Sequence, residues 1–357
     1  MVTDPVVDVV IAVHSAARPI DRAVRSVLDH TACPVRVSVV CHNVAPDDIG
    51  RRLSEFLADE RVRLLAHGDG IPSPSGPFNA GLDAATAPFT SIMGSDDELQ
   101  PGAIDSWLAV QRKHNAAVVI SRLAHASGKP VPTPPTRPWR GTGLDAVKDR
   151  LCYRSAPLGL VSRDMFGGIR LVPGLPTGGD IGYVTRLWFS GEVIAFDRRG
   201  PAYVIHDDAK DRVTFAPKPV AEGMQFLPLL LNDRAVLALT DTQKASLVTK
   251  LLRIHLFGAI WNRRDVKLWD ATERASLAAL TRDCLRFAPG AERVLARADR
   301  ALLDTMLDPS APSERLVRQA AQRRRFPLPA TVIPRNLGYL AAREAPLRLL
   351  FASVMVR

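Results

Sequence analysis

The chain has 357 residues, 46% hydrophobic and 24% charged, with a formal net charge of +10 at pH 7, a size that allows one large domain with an appendage, or two domains. No run approaches the roughly 20 apolar residues that span a bilayer, the N-terminus lacks a signal-peptide layout, and Cys33, Cys41, Cys152 and Cys284 are scattered without CxxC spacing, so a cytosolic protein without structural zinc or a disulfide frame is expected. The positive charge calls for an anionic partner, and nucleic acid, anionic lipid headgroups and a phosphate-bearing substrate all fit.

"VVDVVIAV" (Val6 to Val13) is β-branched and bounded by a polar loop, which predicts a buried strand. After Pro19, apolar residues recur at helical spacing from Ile20 to Leu28. "VRVSVVC" (Val35 to Cys41) predicts the next strand, "IGRRLSEFLA" (Ile49 to Ala58) a helix and "RVRLL" (Arg61 to Leu65) a third strand; "NAGLDAA" then reads as helix and "FTSIM" as extended. This alternation predicts an α/β fold with a mainly parallel sheet and helices on both faces. The segment from Gly128 to Gly143 is too rich in proline and glycine for a regular element and reads as a long mobile loop, a possible cover for a site. From about Ala221 the pattern turns helical, which places a boundary near Pro219 and gives two parts, 1–219 and 220–357.

Ligands of such sheets bind beyond the carboxyl ends of the strands. In "TSIMGSDDEL" the adjacent Asp96 and Asp97 follow a strand and belong on that rim. Two readings stand: a turn and helix cap, with Pro101 in the first turn of the next helix, or oxygen ligands for magnesium or manganese bridging a diphosphate.

The order "VVDVVIAVHS", "RVSVVCHN", "GPFNAGLDAATAPFTSIMGSDDEL" resembles the nucleotide-sugar-binding half of glycosyltransferase family 2 enzymes, which have a GT-A (Rossmann-like) fold; Asn79, Gly81 and the pair Asp96-Asp97 stand at matching places, over roughly Val6 to Thr214. "GLPTGGDIGYVTRLWFSG" is similar to the family segment whose acidic residue opens a helix near the acceptor, and the resemblance implies that Asp180 is the general base, as attack by an acceptor hydroxyl requires. Read without the family, Asp180 after two glycines is a helix N-cap. "YVIHDDAKDRVTF" resembles the downstream segment in which a His completes the metal site and an Arg lies near the diphosphate, here His206 and Arg212. Arg212 equally fits a surface ion-pair network with Asp207, Asp208 and Asp211.

The resemblance thus implies an inverting transferase that moves a sugar from a nucleoside-diphosphate donor to a hydroxyl acceptor by single displacement. Ala12, His14 and Ser15 would border the nucleotide, with Asn43 and Asn79 on the donor, Asp96 on ribose or metal-bound water, and Asp97 and His206 on Mn2+ or Mg2+. The chain departs from the pattern at Cys41, His42 and Asn43, where the family commonly has an Asp that reads the nucleobase, and at Phe78, Gly94 and Gly179. The C-terminal stretch from Arg315 mixes arginines with apolar residues. It suits an anionic membrane surface beside a glycan or lipid-linked acceptor, as in cell-envelope synthesis at the inner face of the membrane, or packing on the catalytic part or a second subunit. Two rivals remain: a GT-A-like scaffold without turnover, and a basic nucleic-acid binder, against which the chain shows neither zinc-finger spacing nor a glycine-aromatic RNA-binding signature.

Overall fold

The structure is a computed structural model that describes residues 4–208 and 218–356. Its first part runs β1 (Val7–Val13), α1 (Ile20–Leu28), β2 (Val35–His42), α2 (Pro46–Arg52), β3 (Val62–His67), α3 (Ser75–Asp83), β4 (Phe89–Gly94), β5 (Glu98–Leu99), α4 (Ala103–His114), β6 (Val118–Ser121), β7 (Leu123–His125), β8 (Pro130–Val131), β9 (Gly159–Ser162), α5 (Arg163–Phe166), α6 (Gly179–Trp188), β10 (Ile194–Asp197) and β11 (Tyr203–Ile205). The main sheet has the order β10-β6-β9-β4-β1-β2-β3. β3, β2, β1 and β4 run parallel, β10 is parallel to β6, and only β9 is antiparallel to its neighbours in this sheet.

β1 is buried on both faces, as its β-branched run requires. Val7, Val9, Ile11 and Val13 meet Ile20, Val24 and Val27 of α1 and Ile104 and Trp107 of α4. Val10 turns to the other side, with Leu82 of α3 and Tyr183 and Leu187 of α6. Asp8 is fully buried in this strand. It is gripped by Arg36 of β2 at 2.7 and 2.9 Å and by the N–H groups of Thr86 and Ala87 at 2.8 Å. Burial pushes its pKa up, but these donors outweigh burial and leave the carboxyl below its ordinary range.

A second sheet, β5-β11-β7-β8, stands beside the first. Its β11–β5 pairing sets Tyr203 opposite Leu99 and Val204 opposite Glu98, which brings the end of β11 beside the Asp96-Asp97 turn. Three sequence expectations shift. α2 spans Pro46–Arg52, starting three residues before Ile49 with a proline in its first turn, and α3 starts at Ser75, before Asn79. The Gly128–Gly143 segment is tied down: β8 pairs with β7, Thr133 donates to the Tyr153 carbonyl at 2.9 Å, and Arg137 grips the buried Asp149 at 2.8 and 2.6 Å.

Beyond Pro219 the described chain is helical, with short helices Val220–Gly223, Phe226–Leu231 and Arg234–Leu237 followed by a run from Asp241 to Asn262. Ala271–Phe287, Arg297–Leu307, Ser313–Gln322, Pro329–Val332 and Pro346–Met355 complete the region. Its core joins Leu247, Leu251, Phe257, Leu277 and Leu302 to Cys152, Leu175 and Ile181, and so straddles Pro219. Among the described residues no helix is long and apolar enough to cross a membrane.

Candidate active site

Ala12 at the end of β1 pairs with Gly94 at the end of β4. The loop carrying His14 and Ser15 therefore leaves the sheet beside the Ser95–Asp97 turn. His14 is exposed, and Ser15 Oγ accepts from the Ala17 N–H at 3.2 Å. The two carboxylates separate here. Asp96 is buried and pairs through Oδ2 with Arg18 Nη1 at 2.8 Å, while Arg22 donates to its carbonyl and to Asp208. Asp97 Oδ2 accepts from the Tyr203 hydroxyl at 2.6 Å and Oδ1 from the His206 N–H at 3.2 Å. The same phenol oxygen accepts from the Gly94 N–H at 3.0 Å. Burial and the adjacent Asp97 push the Tyr203 pKa well up, so it remains a donor.

Like-charge repulsion is thus relieved by different partners for each residue. The cap reading of the pair does not hold: α4 is preceded by Gly102 in the left-handed region, with no side-chain cap. At Gly94, where the family resemblance expects an acid, a Cβ would stand 2.6 Å from Asp97 Oδ2 and would require that carboxylate to shift.

For a divalent cation the rim offers the Asp97 carboxylate, an oxygen donor of the kind such ions prefer. His206 lies beside it, with Nε2 2.9 Å from Glu98 Oε2. Among the described residues no three His, Cys, Asp or Glu side chains converge as a cage. An ion of the magnesium type needs only one or two protein carboxylates, with substrate phosphates and water completing its shell.

At the ends of β2 and β3, Asn43 has φ of 54° and its Oδ1 accepts from the N–H groups of Asp69 and Gly70 at 3.1 and 2.9 Å. The acid on this edge is Asp69, 2.9 Å from His42 Nε2 and 3.2 Å from His67 Nε2. The Ile71 N–H, followed by His42, holds its pKa well below the ordinary range. Gly76 at the start of α3 lies against this cluster: a Cβ there would stand 2.6 Å from Asp69 Oδ2 and 2.7 Å from His67 Nε2.

Asn79 and Gly81 are held in place by tight local contacts. The Asn79 carboxamide donates to and accepts from the Leu171 backbone, both at 2.9 Å, and a Cβ on Gly81 would overlap Val10. Next to Gly76, Ser75 packs on Gly179, where a Cβ would overlap Ser75 Oγ and come within 2.7 Å of the Val172 carbonyl. Gly179 stands in place of the expected Glu because no side chain fits. The start of α3 therefore bridges the Asp69 edge and the start of α6.

Asp180 is the second residue of α6; the N-cap is Gly178, at φ of 76° with no side-chain cap, so Asp180 is not the cap. Its carboxyl is half-buried. Burial lifts its pKa to about 6, against the lowering influence of the Lys250 ammonium and a backbone N–H. Ala12, His14, Ser15, Asp96, Asp97 and His206 thus share one edge, with Asn43 on the neighbouring strand and Asp180 reached through α3. Arg212 lies outside the described residues. Arg18, Arg22, Asp69 and Tyr203 escaped the sequence reading; the Arg18/Arg22 spacing at the start of a helix was the one available hint.

Residues 8–169 match the family model for glycosyl transferase family 2. A 119-residue stretch is 31% identical to the succinoglycan biosynthesis protein ExoO of Rhizobium meliloti (strain 1021), over 33% of this chain and 33% of that protein. The chain thus spans about a third of that relative's length. The crystal structure of S. aureus TarS residues 1–349 in complex with UDP-GlcNAc superposes with a TM-score of 0.73 at 14% identity, covering 89% of this chain and 91% of that one. TarS 1–349 in complex with UDP gives 0.69 at 14% identity, over 90% and 94%. The GT-A architecture with a helical C-terminal region is common to both proteins.

Proposed function

We propose, from the premise that residues 8–169 are a glycosyl transferase family 2 domain, that the protein moves a sugar from a nucleoside-diphosphate donor to a hydroxyl acceptor, with inversion at the anomeric carbon. The observation that carries this reading is Asp180: a half-buried carboxyl with a pKa lifted to about 6, joined by the start of α3 to the strand ends that carry the donor rim. A base poised near the working pH suits removal of the acceptor proton as the new glycosidic bond forms. A carboxylate that acts as base suits a single displacement with inversion.

At the donor end the backbone from Ala12 to Ser15 borders the nucleotide. Asp96, fixed by Arg18 and Arg22, faces the ribose. Asp97, steadied by Tyr203 and the His206 N–H, would hold Mn2+ or Mg2+ with the His206 ring beside it; when bound, the cation supplies charge stabilisation for the departing diphosphate. Asp69 offers the nucleobase edge the acid that Cys41–Asn43 lack.

A glycan or lipid-linked acceptor is favoured by an apolar groove lined by Leu175, Met224, Pro228, Leu229 and Leu280, which opens on the segment leading into Asp180. Phe351, Leu347 and Val354 are exposed on the last helix, near Arg348 and after the basic Arg323–Arg325 stretch, a combination that suits peripheral contact with an anionic membrane. Vesicles with and without anionic lipid test that contact, and a dimer covering the same helix would instead double the mass in solution.

The donor is found by a thermal-shift screen of nucleotide sugars with and without manganese, since a ligand that binds only the folded form raises the melting temperature. One class should stabilise the protein in a manganese-dependent manner, and the product should have the opposite anomeric configuration to the donor. Retained configuration would reject the single displacement. A scaffold would bind without turnover, and a nucleic-acid binder would show salt-sensitive binding to polynucleotide.

A further inference from the structure

Within the helical run from Asp241 to Asn262 the backbone changes from α to π hydrogen bonding over Leu251–Leu256. Lys250 and His255 are five residues apart. An α-helix turns that spacing away from a common face, whereas a wider π turn brings it together, and single π turns frequently accompany functional sites. Here the Lys250 ammonium donates to His255 Nε2 at 2.8 Å, which leaves the imidazole proton on Nδ1. Lys250 is 1% exposed. Among the described residues no carboxylate lies within ion-pair distance of it, and the titratable groups that bear on it are Cys152 and Asp180.

The same segment grips the turn before Asp180. The Phe226 ring meets His255 edge-on at 5.0 Å between centroids and packs on Gly178, where a Cβ would stand 2.5 Å from the ring. The Thr177 hydroxyl donates to the Gly223 carbonyl at 2.7 Å. Behind Cys152, Ser246 donates to Glu344 at 2.9 Å, and Glu344 is bonded by Tyr153 at 3.2 Å and paired with Arg253 at 3.5 Å.

We propose that Lys250 and His255 are positioning residues for Asp180, with His255 holding the Lys250 ammonium where it favours the carboxylate form of the base, so that the helical region completes the active site. The proposal rests on the reading of Asp180 as general base. Burial lowers the Lys250 pKa to about 8 while that of Asp180 stands at about 6, which leaves a window near neutrality in which both are charged. In that window the Cys152 thiol, pushed up to about 12 by burial, stays protonated. Burial and then Lys250 press the His255 pKa well down, so it remains a neutral acceptor.

The test is a carboxyl-carbon NMR titration of the full chain labelled at aspartate, without donor, with the Asp180 signal identified by its loss in Asp180→Asn. The wild-type signal should titrate near pH 6. In Lys250→Met and Lys250→Gln, two separate removals of the charge, the midpoint should rise by about one pH unit or more, and Lys250→Arg should stay near wild type. An unchanged midpoint in whichever of the two neutral variants folds overturns the proposal. A second arm follows the pH profile of nucleoside-diphosphate release from the donor found by the thermal-shift screen. If the NMR midpoint rises and the acid limb of the rate rises with it, both readings stand. If the midpoint rises and the limb stays, Lys250 tunes a carboxyl that is not the base, and the catalytic reading falls with the positioning role.

Discussion

The two ends of the site are made in different ways. The donor end closes on itself within the sheet-bearing part: Ala12 and Gly94 are ladder partners, and Tyr203 and His206 arrive on a strand paired with the one that follows Asp97. The end proposed to carry the base is assembled by packing between segments far apart in the chain. Asp180 stands on a helix whose first turn is wedged between Ser75 of α3 and Phe226 and whose electrostatic neighbour is Lys250, far along the chain. Strand register fixes the first end with backbone hydrogen bonds, whereas the second depends on side-chain packing within the core that straddles Pro219. Damage to the helical region should therefore reach the base while sparing the donor rim.

The largest effect that separates the ends is expected from Asp180→Asn. It should lower transfer by about 10²–10⁴-fold while the donor still raises the melting temperature; loss of donor binding as well would show that the two ends are one. Asp97→Ala is the mirror case. Release of nucleoside diphosphate should drop by about 10²–10³-fold, and the manganese-dependent thermal shift should vanish.

A pH profile sharpens the comparison further. If Asp180 is the base, it must be ionised to accept a proton, and with its pKa raised to about 6 the rate below that pH should fall about tenfold per pH unit. On the same reading donor binding should show no such limb. The smallest effect is expected from Tyr203→Phe, which leaves the Gly94 N–H and one Asp97 oxygen without their shared partner. Denaturant melts should show a loss of about 1–3 kcal/mol, with weaker donor binding and an unchanged pH limb.

Much of this organisation was legible because it is periodic or local. β-Branched runs alternating with amphipathic stretches announced the sheet, and an acidic doublet after "FTSIM" announced the rim. What stayed hidden is non-local. Asp8 reads as an interruption of a buried strand until Arg36 and the Thr86–Ala87 turn are placed against it. Asn79 and Gly81 match a motif whose packing against Val10 and Leu171 shows only once the chain is folded. The i, i+5 pair Lys250–His255 defies any helical reading, because its contact exists only where the helix widens. At Gly179 the departure from the family pattern follows from lack of space, with Ser75 and the Val172 carbonyl occupying the room a side chain would need, whereas at Gly94 the neighbour is the movable end of the Asp97 side chain.

The most direct measurement is the rate of nucleoside-diphosphate release from the manganese-dependent donor by wild type, Asp97→Ala and Asp180→Asn side by side. The account predicts release slowed by about a hundredfold or more in both variants, with Asp180→Asn still binding the donor and Asp97→Ala not. Equal release by wild type and Asp97→Ala would contradict it.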